Sequence, residues 1–323
     1  MEKDIPSLTF LQKVFKINPD LTNVLNAIHI SCKVIQRQIS KAGIVGLHGI
    51  IESSNGLEQN ASGDIQKKLD VISNEVMIDN LIHSHSCSIL LSEENEDEII
   101  VPDEFKGKFI VAFDPLDGSS NIDCNVCVGT IFAIYEQNDI EWKNCIDGDK
   151  IICAGYCLYG PATELVITFQ KGSGVMKFTL DHSIGEFVFT GNIQIPIVGK
   201  KIYSVNESNC ENWNQNIQDY IGLFKIKDTK YTQRYIGSMV ADVHRTLLYG
   251  GMFMYPADSK NKDGKLRIFY ECFPMARITE EAGGLAITTR KSPYRILDIK
   301  PKKIHEKTPI LLGSKDEVEK FIA

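Results

Sequence analysis

Asp114 and Asp117 flank Pro115-Leu116 and are followed by Gly118-Ser119-Ser120-Asn121. Two carboxylates at this spacing, next to small residues with free backbone N–H groups, could hold a hard cation on their oxygens and a phosphate on the N–H groups. The apolar run Phe109-Ile110-Val111-Ala112-Phe113 before them reads as a buried strand. Pro115 and Gly118 predict a turn, which would put both acids in a turn at the end of that strand. Alone, an Asx-type turn accounts for the same residues. The choice depends on whether acids and phosphate-binding groups recur elsewhere.

They do recur. Asp64 and Asp70 lie in Gly63-Asp64-Ile65-Gln66-Lys67-Lys68-Leu69-Asp70, which leads into a helix over Val71 to His83. Glu93-Glu94 follows directly on a strand at Ser88 to Leu91, and strand ends are where ligands collect in open α/β sheets. The rest of that acidic run, to Glu98, reads as solvated loop. In the second half Asn206, Arg234, Tyr235, Tyr255 and Lys265 are donors suited to an anionic, oxygen-rich ligand, and Glu271 opens a helix. Acids thus concentrate in the first half and phosphate-type donors in the second.

The elements that must position them read as a mixed α/β chain. Apolar residues at Leu21, Val24, Leu25, Ile28, Cys32, Ile35 and Ile39 predict an amphipathic helix, with Asn18 or Asp20 as its cap and Pro19 in its first turn. Gly43, Gly46, Gly49, Gly56 and Gly63 with Ser53-Ser54-Asn55 predict a loop over 40–63 of the kind that can act as a lid. Strands are expected at Val128 to Tyr135, Ile151 to Leu158, Glu164 to Phe169 and Gly174 to Thr179, with a polar connection over 136–149. A domain boundary is expected at Gly191 to Pro196. Beyond it we expect helices at Glu211 to Ile221, Met239 to Tyr249 and Glu271 to Ala282, and strands at Met252 to Tyr255 and Ile310 to Leu312.

Composition narrows the function classes. At 323 residues the chain can hold two domains. A net charge of −7 argues against nucleic acid as a partner, and Lys300-Pro301-Lys302-Lys303 reads as a solvated loop. No apolar run reaches the length of a membrane span and no signal-peptide pattern opens the chain, so a cytoplasmic location is expected. Nine scattered cysteines read as reduced thiols, and Cys124-x-x-Cys127, with no second Cys/His pair, reads as structural.

Taken together, the blocks around Asp64–Val71, Phe113–Asp123 and Arg234–Arg245, with Gly264-Lys265-Leu266-Arg267 and Tyr270-Glu271-Cys272, resemble the eukaryotic-type fructose-1,6-bisphosphatases from about residue 10 onward. The Asp-Pro-x-Asp-Gly core is shared with inositol monophosphatases. The Arg234 and Lys265 blocks narrow the resemblance to sugar bisphosphatases.

The resemblance implies an α/β (α+β) chain with a layered α-β-α-β-α fold and two mixed sheets. It implies residues 1–195 as a domain carrying the metal-ligand motifs and a degenerate AMP-site region, and 196–323 as a sugar-phosphate-binding domain. The implied reaction is Mg²⁺-dependent hydrolysis of the 1-phosphate of fructose 1,6-bisphosphate, with Mn²⁺ or Zn²⁺ as alternative metals. Glu93, Glu94, Asp114, Asp117 and Glu271, with the Leu116 carbonyl, would hold the metals. Asp70 with Glu94 would take the proton of the attacking water, and Asp64, paired with Arg267, would support the metal site. Gly118 and Ser119, with Ser120 beside them, would hold the 1-phosphate. Asn206, Tyr235, Tyr255 and Lys265 would grip the 6-phosphate, Met239 would contact the sugar, and Asn60 would belong to a loop closing over the metals. Arg234 would reach the 6-phosphate of a neighbouring subunit, which implies a homo-oligomer, usually a tetramer. Sedoheptulose-1,7-bisphosphatase or a dual sugar bisphosphatase, and a silent metabolite-binding scaffold, are the alternative readings.

Three departures matter. A second phosphate-binding tyrosine of the family is Asn209 here. The family's Gly-Thr-Gly-Glu-x-Thr stretch for AMP is Ile17-Asn18-Pro19-Asp20-Leu21-Thr22, and Pro19 has no N–H to offer a phosphate. The Lys-Tyr and Arg of the same site are Lys108-Phe109 and Glu136, and Glu136 places like charge against a phosphate. Weak or absent AMP inhibition is therefore expected. The 136–149 connection holds only Cys145, so thioredoxin-type control by that route is not expected.

Overall fold

The computed structural model describes residues 5–47, 49–50, 67–290 and 294–322, with the backbone alone of 52–53 and 56–57. Asp64, Asn60 and Gly63 lie outside the described residues, as does most of the expected lid.

Three helices come first: α1 (Ser7–Phe15), α2 (Pro19–Val45) and α3 (Lys68–Ile82). Of the two candidate caps of α2 it is Asn18 that serves, its side chain accepting from Leu21 N at 2.8 Å. The helix runs through Ser40 to Val45 rather than yielding to a loop at 40, and ends only at Gly46 in the left-handed region (φ 71°). Gly43 inside it costs about 1 kcal/mol relative to alanine, too little to stop a helix whose stripe of Leu21, Val24, Leu25, Ile28, Cys32 and Ile35 is fully packed. Asp70 starts α3, accepting from Lys67 N at 2.9 Å.

The first sheet is formed by β1 (Cys87–Ser92), β2 (Ile99–Ile100), β3 (Phe109–Asp117), β4 (Val128–Glu136), β5 (Cys153–Tyr159), β6 (Thr163–Thr168), β7 (Val175–Asp181) and β8 (Glu186–Ile193), in the order β8-β7-β6-β5-β4-β3-β1-β2. Neighbours are antiparallel except β1 and β3, which run parallel with Ser92 opposite Phe113. Side chains of β3 alternate between two apolar cores: Val111 and Phe113 pack with α2 and α3, and Ile110 and Ala112 face the other way.

β9 (Ile202–Ser204), α4 (Gln215–Phe224), β10 (Thr232–Gln233), α5 (Met239–Tyr249), β11 (Met252–Tyr255), β12 (Leu266–Arg267), α6 (Phe273–Glu281), β13 (Leu285–Thr288), β14 (Tyr294–Arg295), β15 (Lys307–Thr308), β16 (Ile310–Gly313) and α7 (Lys315–Ile322) complete the chain. The second sheet is ordered β10-β9-β11-β16-β13-β14, and β12 pairs with β15 apart from it. Val240, Val243, Phe273 and Met275 of α5 and α6 fill the layer between the sheets, and Ile217, Tyr220 and Val318 of α4 and α7 cover the far face of the second. The five layers are therefore α-β-α-β-α, and one apolar cluster runs from Ile89 to Leu312.

Three expectations are corrected here. The strand before the paired acids does not stop at Phe113. It continues to Asp117 with a bulge between Asp114 and Asp117, where a proline without an N–H is tolerated. The turn falls one residue later, at Gly118 (φ 77°). The helix expected from Glu211 begins at Gln215, capped by Asn214, after a separate 3₁₀ turn at Glu207–Asn212. Glu271 does not open an α-helix: it lies in a π turn, Ile268–Cys272, that runs into α6.

Candidate active site

Parallel pairing of β1 with β3 brings both strand ends to one edge. Glu93 N donates to Phe113 O at 3.1 Å, so Glu93 and Asp114 become neighbours although twenty residues separate them in sequence. Asp114 turns one carboxylate oxygen onto Leu116 N at 2.9 Å. The bulge rotates Asp117 toward α5, where its Oδ2 accepts from Ser238 Oγ at 2.7 Å and Val240 N at 3.0 Å. The approach is close: a Cβ at Gly118 would lie 2.7 Å from Ser238 Cβ, and one at Gly129 would lie 2.6 Å from a Val240 methyl.

Glu271 reaches the same point from the π turn. Arg267, on the strand before it, lies 2.8 Å from Glu93 and 3.7 Å from Glu271, and donates its own N–H to Glu271. Among the described residues Arg267 pairs with Glu93 and Glu271; Asp64, its expected partner, lies outside them. Carboxylate oxygens of Asp114, Asp117 and Glu271, all three buried, lie within 4.8 Å of one another.

Burial dominates the electrostatics. It pushes Glu93 up to about 7 and Glu271 up to about 8, although Arg267 opposes both shifts. Asp114 is raised well above the carboxylate range by burial and then by the charges of Glu93, Asp117 and Glu271. Asp117 is raised by burial too, with Ser238 and Val240 pulling the other way. Asp70 is pushed up to about 7 by burial, helped by the charge of Glu94 and resisted by the Lys67 N–H. Acids crowded into a dry site with one guanidinium are short of positive charge. Their all-oxygen donor set is what a hard divalent ion takes, so these residues fit a bound metal.

A cleft of about 840 Å³ opens over this cluster. Asp70, Glu93, Glu94, Asp114, Leu116, Asp117, Gly118, Ser119 and Ser120 line it together with Asn206, Tyr235, Met239, Tyr255, Lys265 and Glu271. Ser119 and Ser120 begin a 3₁₀ turn, so their N–H groups have no partner within it. Asn206 uses its side-chain oxygen on Ser208. Two family models match the chain, "Fructose-1-6-bisphosphatase, N-terminal domain" over residues 9–192 and "Fructose-1-6-bisphosphatase, C-terminal domain" over 196–323. The chain belongs to the fructose-1,6-bisphosphatase family.

It is 48% identical over 312 residues to a cytosolic fructose-1,6-bisphosphatase of Arabidopsis thaliana, covering 94% of this chain and 88% of that one. It is 48% identical over 308 residues to the cytosolic enzyme of Spinacia oleracea, with 93% and 87% covered. Among solved structures, Leishmania major fructose-1,6-bisphosphatase in holo form superposes with a TM-score of 0.92 at 42% identity, covering 98% of each chain. Its T-state gives 0.85 at 41%, covering 98% of this chain and 97% of that one.

Every described residue to which the fructose-1,6-bisphosphatase resemblance gives a site role lines this cleft, except Arg234. Arg234 is exposed and lies on a separate concavity, donating to Gln233 O at 3.0 Å. Among the polar side chains of the cleft, Lys67, Ser238 and Asp242 carry no role in the sequence analysis, and Arg267 has Glu93 as a partner that was not expected. Ser238 had a local signal, as a serine just ahead of an apolar-periodic helix; its bond to Asp117 had none. The Glu93–Glu94 turn is also held from behind. His305 lies 3.0 Å from Asn95 O and 2.6 Å from Tyr270 OH, while Asn74 Nδ2 donates to Asn95 Oδ1 at 2.8 Å.

Proposed function

We infer that this chain hydrolyses the 1-phosphate of fructose 1,6-bisphosphate, giving fructose 6-phosphate and phosphate, within gluconeogenesis. One observation carries the reading: in a fructose-1,6-bisphosphatase chain, the buried acid cluster and the phosphate-type donors line a single cleft.

Glu93, Glu94, Asp114, Asp117, Glu271 and the Leu116 carbonyl would hold divalent ions, Mg²⁺ in our reading, with Mn²⁺ and Zn²⁺ as alternatives. Such ions polarise phosphoryl oxygens and acidify bound water. The N–H groups of Gly118 and Ser119, with Ser120 beside them, orient the 1-phosphate and stabilise charge on its oxygens. Asp70, raised to about 7, is matched to accepting a proton near neutral pH, with Glu94 as its partner. Tyr235, Tyr255, Lys265 and Asn206 fix the 6-phosphate, and Met239 packs on the sugar. Asp64 is retained as a supporting acid.

We propose that the family's AMP site is not rebuilt in this chain and that AMP inhibits weakly or not at all. Asn18 already occupies the start of α2 through Leu21 N, Pro19 offers no donor there, and Thr22 Oγ1 donates to Asn18 O at 2.9 Å. Lys108 is paired with Glu136 at 2.9 Å. The reading further carries a division into residues 1–195 and 196–323, a homotetramer in which Arg234 serves a neighbouring subunit, and a cytosolic location like that of the plant relatives.

The test is phosphate release with Mg²⁺ from fructose 1,6-bisphosphate, sedoheptulose 1,7-bisphosphate and inositol monophosphate in parallel, with and without AMP. Release mainly from the first, unchanged by AMP, is expected. Preference for the second would move the substrate, and half-inhibition at low micromolar AMP would overturn the allosteric part. Glu94→Gln should keep its fold and lose nearly all turnover.

A further inference from the structure

Behind the catalytic cleft, the acidic loop that follows β1 is tied to the π turn carrying Glu271. His305, in the turn before β15, makes the tie. Its Nε2 lies 3.0 Å from Asn95 O and 3.2 Å from Glu96 O, and its Nδ1 lies 2.6 Å from Tyr270 OH. A carbonyl oxygen can only accept, so Nε2 carries the proton and donates to both carbonyls. In the neutral ring Nδ1 then accepts, and Tyr270 OH donates to it. Burial lowers the His305 pKa against the pull of the two carbonyls, and Arg267 and Lys307 add to the fall, which keeps the ring neutral at pH 7. Both ends of the tie are anchored. Asn95 Oδ1 accepts from Asn74 Nδ2 at 2.8 Å, Asn74 Oδ1 from Ser92 Oγ at 2.6 Å, and Ser92 Oγ from Glu94 N at 3.2 Å. Tyr270 is fully buried, one residue before Glu271. At the far end of the acidic loop Trp142 Nε1 donates to Glu98 Oε1 at 3.1 Å, and its ring packs edge-on against Phe269. The His305 segment itself is held by other bonds: β12 pairs with β15, Leu266 opposite Thr308, and Ile268 N donates to Glu306 O at 2.8 Å.

We propose that His305 is a positioning residue of the metal site, joining the Glu93–Glu94 turn of the first half to Glu271 of the second so that their carboxylates keep one register. The inference rests on the reading of these acids as metal ligands. Buried acids repel one another, so the segments that carry them part unless something else holds them together. Arg267 bridges Glu93 and Glu271 directly, at 2.8 Å and 3.7 Å, but its charge then sits on the carboxylates themselves. The His305 tie runs through two backbone carbonyls and a tyrosine hydroxyl and places no hydrogen bond of its own on the acids. It fixes their spacing and leaves their charge to an ion. Ligands ordered beforehand lose less freedom when an ion binds, which raises affinity. The bonds of His305 named above reach none of Asn206, Tyr235, Tyr255 and Lys265. Its loss is therefore expected in metal affinity and kcat, and not in KM for the sugar bisphosphate.

The experiment reads metal binding apart from turnover. Mn²⁺ is titrated into the chelator-treated full chain, and the unbound ion is followed by its electron paramagnetic resonance signal. The proteins are the wild type, His305→Ala, His305→Gln, Tyr270→Phe and Glu271→Gln. His305→Ala should bind Mn²⁺ about tenfold more weakly, the lower end of what loss of an outer partner typically does. Tyr270→Phe, which loses only the hydroxyl, should bind at least about threefold more weakly. His305→Gln, whose amide N–H still reaches toward the carbonyls, should recover most of the loss, which a merely space-filling role would not predict. With Mg²⁺ present, kcat of His305→Ala should fall at least about tenfold while KM for fructose 1,6-bisphosphate stays within about twofold. Wild-type Mn²⁺ affinity in His305→Ala and Tyr270→Phe, with Glu271→Gln weakened, would overturn the inference and leave the ligand reading standing. Wild-type affinity in Glu271→Gln would overturn that reading, and the inference with it. If His305→Ala does not fold, Tyr270→Phe and His305→Gln decide by the same measure.

Discussion

Ser238 Oγ lies 2.7 Å from Asp117 Oδ2 and fixes an acid of the first half by a helix cap of the second. One side chain thus starts α5 and orients a buried carboxylate. Ser238→Ala should weaken divalent-metal affinity roughly 10–100-fold, as loss of an outer partner to a ligand typically does. Gly118→Ala should be worse for stability, since the new Cβ would meet Ser238 in a left-handed backbone that costs about 1–2 kcal/mol. Metal titrations of activity and urea unfolding would check the pair; unchanged metal dependence in Ser238→Ala would remove the positioning role.

Metal removal should lower stability, because the acid cluster is left short of positive charge. Added Mg²⁺ should raise the melting temperature of the wild type by mass action. In the chelated state Asp114→Asn should melt higher than the wild type, as it removes the cost of burying an acid among its own kind, which the chain otherwise meets by taking up a proton, while losing at least about 100-fold in turnover. Melting curves with and without chelator decide it; a chelated Asp114→Asn that melts below the wild type would contradict the charge argument.

His29 predicts a pH dependence far from the cleft. It stands on α2, buried against the Phe187 ring with Ser7 Oγ 3.2 Å from Nδ1, and burial, with Lys33 nearby, lowers it to about 3. The unfolded chain protonates near 6.5 while the folded chain does not. The unfolded state therefore binds more protons between these values, and this contribution to stability is lost as pH falls below 6.5. One pH unit below that point is worth at most about 1.4 kcal/mol. Denaturation midpoints from pH 7.5 to about 5.5 should fall less steeply in His29→Gln; parallel curves would count against it.

Gly155 in β5 exists to admit Phe132. A Cβ there would lie 2.3 Å from the Phe132 ring and 2.7 Å from Val166 O. Gly155→Ala should cost about 1–3 kcal/mol by overpacking, and adding Phe132→Leu should recover part of that. Urea unfolding of the two single variants and the double variant measures the coupling, and strict additivity would refute it.

What the sequence makes legible is local or chemical. Met239–Tyr249 stands out because its apolar period is bounded by a serine cap and a glycine stop, and the acids and donors by their types. What depends on remote partners is not legible. Asp114 to Asp117 reads as a turn because Pro115 and Gly118 are there, yet pairing with β4 carries the strand through a bulge. β8 and β13 escape notice: β8 is an edge strand with mixed exposure, and β13 is only four residues long. The Arg267–Glu93 pair joins residues of opposite halves, and the exposed placement of Arg234 follows from the path of β10, so neither has a signature in spacing.

The eight-stranded sheet has a consequence for self-association. Long, bare edge strands offer unpaired N–H and C=O groups on which further chains add. At one edge stands β2, only two residues long. At the other, β8 is bulged between Phe189 and Gly191 and meets the N-terminal segment, with Pro6 opposite Val188 and Phe189 N donating to Ile5 O at 3.3 Å. Pro6 has no N–H with which to pass the ladder on. Neither rim of this sheet offers a long free ladder, so a second copy finds little on which to continue it.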